Sequence, residues 1–306
     1  MPFDHALFIG FGGPTRSEEV GPFLRRIGQG ALIPEERLRE VESHYKMIGG
    51  ASPYNDHAAR LVSAVRRRMK TAGVEIPLFL GMRNWHPFLT EIIPQIEKKG
   101  LKQGLAVVLA PHRAEASFER YLRALQEACK ESEAQIAYEP LPPWHEHPLF
   151  IGALVERTGT AWQGERGWQV LFTAHSLPTE MPGASAYQTQ VDATARQVVK
   201  QLGIQDWGVA YQSRSGTPGE KWLGPDVREK IAGLKALGRR GVTVVPVGFL
   251  FDHAEVLYDL DVEARQIAEA AGLEFRRAST VMDHSSFVQM FAELIQAQNP
   301  VQGAKR

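Results

Sequence analysis

The 306-residue sequence predicts an α/β protein with two similar lobes, each built on a mainly parallel sheet. Short runs of consecutive apolar residues alternate with longer segments of helical periodicity. Strands that are apolar on both faces are typical of parallel sheets covered by helices. The pattern begins again in the second half, where GVTVVPVGF (241–249) resembles GLAVVLAPH (104–112) of the first half.

In the first half, three apolar runs predict strands and three amphipathic segments predict helices. The strands are expected at 6–11, 76–82 and 105–110, and the helices near 55–70, 88–99 and 115–131. Thr15 and Glu18 have the spacing of a capping box, so a helix is expected to begin there, although Gly21-Pro22 disturbs it.

The second half repeats this alternation of strands and helices. Strands are expected at 168–174, 208–212, 242–249 and 273–276, and helices at 188–202, 226–237, 256–271 and 285–297. The proline-rich segment 140–148 is the best candidate for a linker. We therefore expect an N-terminal lobe of residues 1–145 and a C-terminal lobe of residues 146–306, whose last helix can pack back on the first lobe.

Composition excludes several classes of protein. The formal net charge is zero, so no long-range field draws the chain to nucleic acid. No apolar run approaches the length of a transmembrane helix, and residues 1–13 lack the pattern of a signal peptide, so a cytoplasmic location is expected. Cys129 is the only cysteine, which excludes an internal disulfide and a four-cysteine iron–sulfur cluster.

Polar side chains follow two of the predicted strands. His175 comes one residue after the strand 168–174, and Glu255 follows the strand 242–249. Ligands of open α/β sheets bind beyond the carboxyl ends of the strands, so both side chains are expected in a cleft between the lobes. Imidazole together with carboxylate suits borderline divalent metals, iron and zinc included.

Glu255, Asp259 and Glu263 are spaced four residues apart, so a helix places them on one face. Like charges at this spacing destabilise an isolated helix by roughly 0.2–0.5 kcal/mol per pair. One interpretation is a path along which carboxylates pass a divalent cation toward His175. The other is a solvated acidic face, or one paired with arginines such as Arg265.

Other polar loops carry weaker signals. Gly12-Gly13-Pro14 allows close approach of a ligand, but no nucleotide-binding glycine motif is present. The loop that contains Ser213 either lines the cleft or caps the next helix. His145 and His147 have the spacing of metal ligands, but in a proline-rich linker we expect them to be exposed.

Six motifs then suggest a family. They are FGGP (11–14), IGGASP (48–53), GMRNWHPF (81–88), TAHSLP (173–178), YQSR with WLGPDV (211–227), and VPVGFLFDHAEVLYDLDVEA (245–264). In this order, and over most of the chain, the sequence resembles the ferrochelatases. The resemblance implies two Rossmann-like lobes with a porphyrin cleft between them. It also implies insertion of Fe²⁺ into a porphyrin, with release of two protons, in haem biosynthesis.

The resemblance further implies roles for individual residues. His175 and Glu255 match the inner catalytic and metal-binding pair, Asp259 and Glu263 an outer acidic ladder, and His253 a second histidine beside the glutamate. The positions that match porphyrin-lining residues are Phe11, His44, Tyr45, Ser52 and Tyr121, and we add Ser213 from the polar loop.

Departures from the family leave the porphyrin open between protoporphyrin IX and coproporphyrin III. Branches that metallate coproporphyrin often carry tyrosine at the position of Phe11 and arginines at those of Gly28 and Gln29. Arg25 and Arg26 are the candidates to replace these arginines. Asn84 stands where tyrosine or histidine is frequent.

We expect Fe²⁺ as a substrate, no permanently bound cofactor, a monomer, and at most a transient contact with a membrane or a haem acceptor. The alternatives are a porphyrin or haem carrier without turnover and a cobalt chelatase for a related tetrapyrrole.

Overall fold

The computed structural model describes residues 3–28, 35–214 and 219–298. Gln29 and residues 215–218 of the polar loop, which entered the sequence analysis, lie outside the described residues.

Two four-stranded parallel sheets form the framework, with strand orders β2-β1-β3-β4 and β6-β5-β7-β8. The strands are β1 His5–Gly10, β2 Leu78–Met82, β3 Gln103–Val108, β4 Ala137–Pro140, β5 Trp168–His175, β6 Trp207–Gln212, β7 Gly241–Val245 and β8 Glu274–Arg277. The two orders are the same, and β3 and β7 occupy equivalent positions. The predicted α/β class and the internal repeat are therefore confirmed.

Burial explains why the apolar runs form the central strands. Every residue of β1 and of β7 is buried, because helices cover both faces of each sheet. The edge strand β4 is short, and its residues are mostly exposed. Its sequence therefore lacks the apolar signal of the other strands, and it was not predicted.

Ten α-helices complete the described part of the chain. They are α1 Val20–Ile27, α2 Glu35–Met47, α3 Tyr54–Thr71, α4 Leu89–Lys98, α5 Arg120–Glu131, α6 Pro148–Trp162, α7 Ala184–Leu202, α8 Val227–Gly233, α9 Arg265–Ala270 and α10 Ser285–Gln298. Two of them continue π-helical segments, Glu115–Glu119 before α5 and Val256–Ala264 before α9. Of these helices, α2 and α6 were not predicted. None is long and apolar enough to cross a membrane.

The start of α1 differs from the predicted capping box. The backbone N–H and the hydroxyl of Thr15 both donate to the carboxylate of Glu19, at 2.8 and 3.1 Å, and not to Glu18. A short 3₁₀ turn, Ser17–Glu19, precedes α1 and places the carboxylate of Glu19 within hydrogen-bonding distance of Thr15. The same carboxylate accepts a hydrogen bond from the indole of Trp85 at 2.8 Å, so this turn is fixed to the loop after β2.

The proline-rich segment is anchored by two buried side chains, although its prolines are exposed. Leu141 and Trp144 are buried in the largest hydrophobic cluster, which draws residues from both lobes. Within this segment the predicted exposure of two histidines is wrong. Only 15% of the side chain of His145 is accessible, and Nδ1 of His147 accepts the N–H of Leu149 at the start of α6.

The last helix connects the lobes. α10 packs against α3 of the first lobe and α6 of the second. Phe291 of α10 lies 5.4 Å, between ring centroids, from both Phe8 of β1 and Trp144. The first sheet uses strands from residues 5–140 and the second from 168–277, so the predicted boundary at 145–146 lies between the sheets and stays a prediction.

Candidate active site

His175 is the last residue of β5, and the prediction that it follows the strand is wrong by one residue. Its Nδ1 contacts the carbonyl oxygen of Ser176. A carbonyl only accepts hydrogen bonds, so Nδ1 carries the proton of the neutral ring and Nε2 keeps its lone pair. Nε2 lies 3.8 Å from Oε2 of Glu255. The hydroxyl of Tyr187 donates to the backbone carbonyl of His175 at 3.1 Å, which fixes the strand end.

Glu255 lies between two imidazoles. Its Oε2 is 3.8 Å from Nε2 of His175 and 3.8 Å from Nε2 of His253. Burial lowers the pKa of His253, although the nearby Glu255 opposes this effect. Two rings of different burial therefore face one carboxylate at the junction of the lobes.

Asp259 lies in the π-helical segment that follows Glu255. The hydroxyl of Ser213 contacts its carboxylate, and Nε2 of Gln212 lies 3.3 Å from it. Burial, reinforced by the charge of Glu255, raises the pKa of Asp259 to about 7. Asp259 is therefore not part of a solvated acidic face.

The outer carboxylate, Glu263, has a different environment. Its Oε2 is 3.8 Å from Nη1 of Arg228 in α8, while the guanidinium of Arg265 approaches Asp261 instead, at 3.9 Å. A π-helix has wider turns than an α-helix and occurs frequently at functional sites. The three carboxylates thus follow one another along the helical segment, from the imidazoles beside Glu255 to Arg228 beside Glu263.

Residues of the first lobe complete the site. Phe11 follows β1, and its backbone N–H donates to the hydroxyl of Tyr54 at 2.9 Å. Ser52 is buried, and its N–H donates to the carbonyl of Pro14 at 2.8 Å. The structure therefore places both predicted lining residues where the first strand meets the loop after α2.

Two buried phenols of the first lobe face the carboxylates of the second. Burial, and after it the charge of Glu255, raises the pKa of Tyr45. Burial, then the neighbouring Tyr54 and to a smaller extent Glu255, raises the pKa of Tyr121 well above its ordinary value. The charge of Glu255 in the second lobe therefore acts on Tyr45 and Tyr121 of the first lobe.

The loop that carries Glu255 is fixed by residues that sequence reasoning missed. Arg277 of β8 pairs with Asp252 at 3.0 Å and with Asp261 at 2.7 Å. Asp252 also accepts the N–H of Thr280 at 3.2 Å. Gln212 was missed as well, and its position at the end of β6 was the signal that could have identified it.

Within residues 3–28, 35–214 and 219–298, no three or more His, Cys, Asp or Glu side chains are arranged to hold a metal ion. The candidate site is therefore a pair of imidazoles sharing one carboxylate, followed by two further carboxylates. Such a group of side chains offers a proton acceptor and an acidic path in one place.

Comparisons with known proteins identify the family of this chain. The ferrochelatase family model matches residues 6–299. A ferrochelatase of Rhodopirellula baltica is 36% identical over 96% of this chain and 86% of its own length. A coproporphyrin III ferrochelatase of Mycobacteroides abscessus is 35% identical over 96% of this chain and 88% of its own length.

Solved structures show the same fold at low sequence identity. SirB from Bacillus subtilis with Fe³⁺ superposes with a TM-score of 0.62 at 11% identity, covering 97% of this chain and 95% of that one. The sirohydrochlorin chelatase SirB from Bacillus subtilis subspecies spizizenii in complex with cobalt gives 0.55 at 12% identity, covering 96% and 94%.

The two facing parallel sheets therefore have the fold of the chelatases. Within that class, the match of the family model over nearly the whole length settles the family. The chain belongs to the ferrochelatases, enzymes that insert iron into porphyrins.

Proposed function

We propose that this enzyme inserts Fe²⁺ into a propionate-bearing porphyrin at the junction of its lobes, with His175 and Glu255 as the reacting pair. The observation that carries the proposal is the position of His175 Nε2, which is 3.8 Å from Glu255 Oε2. The resemblance and the relatives support the reaction.

His175 accepts the first pyrrole proton. Insertion of one Fe²⁺ displaces two pyrrole N–H protons, so the site needs proton acceptors. The contact between Nδ1 and the Ser176 carbonyl leaves the lone pair of Nε2 free to accept the first proton. Glu255, which faces both rings, stabilises the imidazolium that forms and is the nearest acceptor for the second proton.

The acidic path delivers the metal. Glu263 is the outermost carboxylate and Asp259 the intermediate one, and both lie in the helical segment that begins beside Glu255. Carboxylate oxygens and imidazole nitrogen are suitable ligands for ferrous iron. Burial raises the pKa of Asp259 to about 7, which disfavours a permanent negative charge at this position. Such a carboxylate suits a cation that is passed on rather than held.

Porphyrin distortion is the third component. The buried residues Tyr45, Ser52 and Tyr121 and the partly buried Phe11 of the first lobe support one face of the macrocycle. His44 and Ser213 lie near its edge. Gripping the ring out of plane exposes the nitrogen lone pairs to the metal, so binding energy is converted into distortion. Fe²⁺ is a substrate here, and we keep the expectations of a monomer without a permanently bound cofactor.

The proposal is tested by anaerobic stopped-flow metallation with Fe²⁺, using protoporphyrin IX and coproporphyrin III side by side. His175→Ala should lower the rate by about 10²–10⁴-fold, the usual contribution of a positioned general base, while metal-free porphyrin still binds. His284→Ala is the matched control, because that imidazole pairs with Glu156 away from the site. A near-wild-type rate of His175→Ala would exclude the catalytic role.

The same assay separates an enzyme from a carrier. A carrier binds the porphyrin but shows no turnover with any ferrous concentration. Asp259 and Glu263 favour the enzyme, because a carrier has no use for an acidic path to its ligand.

A further inference from the structure

A surface pocket lies outside the site described so far, where β2 ends and α4 begins. Its volume is about 320 Å³, and its walls come from the end of β2, the first turn of α4 and the face of α5. Its charged and polar lining includes Arg26, Arg83, Asn84 and Thr90, with Glu127 and Glu131 on α5.

Asn84 is the residue that indicates a ligand in this pocket. The residue is only 7% exposed, and its backbone N–H donates to the carbonyl of Phe11 at 2.9 Å. Its side-chain Nδ2 has no hydrogen-bond acceptor in the described part of the chain. A buried amide donor without an acceptor keeps its full desolvation cost, so an acceptor inside the pocket would recover that free energy.

Two guanidinium groups lie beside this amide. Arg83 is partly buried, and burial lowers its pKa without removing its charge at neutral pH. Arg26 lies over the ring of Phe88, 4.3 Å from the centroid. No ion pair in the described ranges uses either guanidinium, so both charges are available to an anion.

The other charged groups of the pocket do not cancel the positive potential of Arg26 and Arg83. Glu127 and Glu131 are exposed on α5, where water screens them strongly. The guanidinium of Arg83 lies in a less polar environment, where its charge attracts an anion more strongly. The first turn of α4 adds little to this potential, because the carboxylate of Glu91 already accepts the N–H of Phe88 there at 2.6 Å.

We propose that this pocket binds one oxyanion, a carboxylate or phosphate group, through Asn84 Nδ2 and the guanidinium of Arg83, with Arg26 at its mouth. Two sources are compatible with this chemistry. Cζ of Arg83 lies 5.8 Å from the ring centroid of Tyr121, and the backbone N–H of Asn84 donates a hydrogen bond to the carbonyl of Phe11. The pocket therefore adjoins the porphyrin-lining residues. A propionate of the tetrapyrrole is therefore one source, which rests on the proposed function, and a free anion is the other.

Three variants test the pocket. Asn84→Leu removes the amide donor at similar size, and Asn84→Asp replaces it with a carboxylate that repels an anion. Gln95→Glu adds the same charge on an exposed position of α4 and is the matched control. Metal-free coproporphyrin III and protoporphyrin IX are titrated by fluorescence quenching, and inorganic phosphate is tested by thermal shift.

If a propionate occupies the pocket, Asn84→Leu weakens porphyrin binding about tenfold, consistent with loss of one buried hydrogen bond to a charged group, and Asn84→Asp weakens it further because its carboxylate repels the anion. If a free anion occupies it, porphyrin affinity is unchanged, but phosphate stabilises the wild type and Gln95→Glu and not Asn84→Asp. Either result supports the pocket. Equal porphyrin affinity together with equal phosphate response in wild type and Asn84→Asp would overturn it.

The two proposals fail in distinguishable ways. A wild-type protein that binds neither porphyrin contradicts the proposed function, while the phosphate titration still decides whether the pocket takes an anion.

Discussion

The imidazole of His44 lies flat on the phenol ring of Tyr258, with centroids 3.7 Å apart and planes 11° apart. His44 belongs to α2 of the first lobe and Tyr258 to the π-helical segment of the second. The stack therefore joins the lobes directly beside Asp259, at the edge of the predicted porphyrin cleft. We therefore predict that a macrocycle entering between the lobes passes this contact.

We expect Tyr258→Leu to accelerate porphyrin entry several-fold, because it removes a stacking contact of about 0.5–1.5 kcal/mol and keeps apolar bulk. Stopped-flow quenching of porphyrin fluorescence measures the association rate. His44→Ala and the double variant complete a thermodynamic cycle. If the effects of the two single substitutions simply add in the double variant, the stack is not what limits entry.

Removal of the outer carboxylates should affect metal and porphyrin differently. With Asp259→Ala plus Glu263→Ala, we expect the KM for Fe²⁺ to rise about tenfold or more, since the cation loses two oxygen-ligand positions on its path. The KM for porphyrin should change much less. Steady-state assays with each substrate varied in turn provide both constants.

Glu269→Ala is the control for this experiment, because Glu269 is an exposed carboxylate of α9 on the same continuous helix. Equal increases of both Michaelis constants in the double variant would count against a metal path.

Arg277 should contribute strongly to stability. Only 10% of its side chain is accessible, and it bridges Asp252 and Asp261. Arg277→Met leaves two largely buried carboxylates without their partner, and breaking a buried pair in this way costs about 3–5 kcal/mol. Urea unfolding monitored by circular dichroism measures the free energy of unfolding.

Arg240→Met is the corresponding control. Arg240 is 60% exposed and pairs with Glu165 at 3.5 Å, so its loss should cost at most about 1 kcal/mol. If both variants lose the same stability, the bridge does not hold the loop that precedes Glu255.

The sheets could be predicted because their central strands are buried on both faces. β1, β3, β5 and β7 therefore appear as continuous apolar runs in the sequence, and the repeat of β3 in β7 identified the second lobe. The edge strand β4 could not be predicted in this way, because exposure removes its apolar signal. Helix α1 was expected from its capping box, but Gly21-Pro22 obscured where it begins.

The site was predictable where it depends on strand ends and on motifs. His175 and Glu255 follow or end neighbouring strands, so topology alone brings them together. The π-helical geometry around Asp259, the bridge made by Arg277 and the unpaired amide of Asn84 depend on tertiary contacts between distant segments. No local spacing in the sequence encodes these contacts.

His112 should make the contact between the lobes sensitive to acid. It follows β3 of the first lobe, and its Nε2 lies 2.9 Å from the hydroxyl of Thr194 in α7 of the second lobe. Burial, and after it the neighbouring His145, lowers the pKa of His112 to about 3. The folded protein therefore keeps this ring neutral, whereas the unfolded chain binds a proton near pH 6.5.

A histidine whose pKa is lowered in the folded state adds to the free energy of unfolding above the pKa of the unfolded chain. This contribution is lost as the pH falls. Between pH 6.5 and about 3, His112 should reduce the free energy of unfolding by roughly 1.4 kcal/mol for each pH unit. His112→Gln keeps a polar group near Thr194 but cannot titrate. Its stability should therefore fall less steeply between pH 6 and pH 4, as measured by urea unfolding at several pH values. If the free energies of unfolding of the two proteins fall in parallel over this interval, His112 does not drive acid unfolding. If the two curves converge as the pH falls, this buried imidazole is the group that weakens the junction of the lobes.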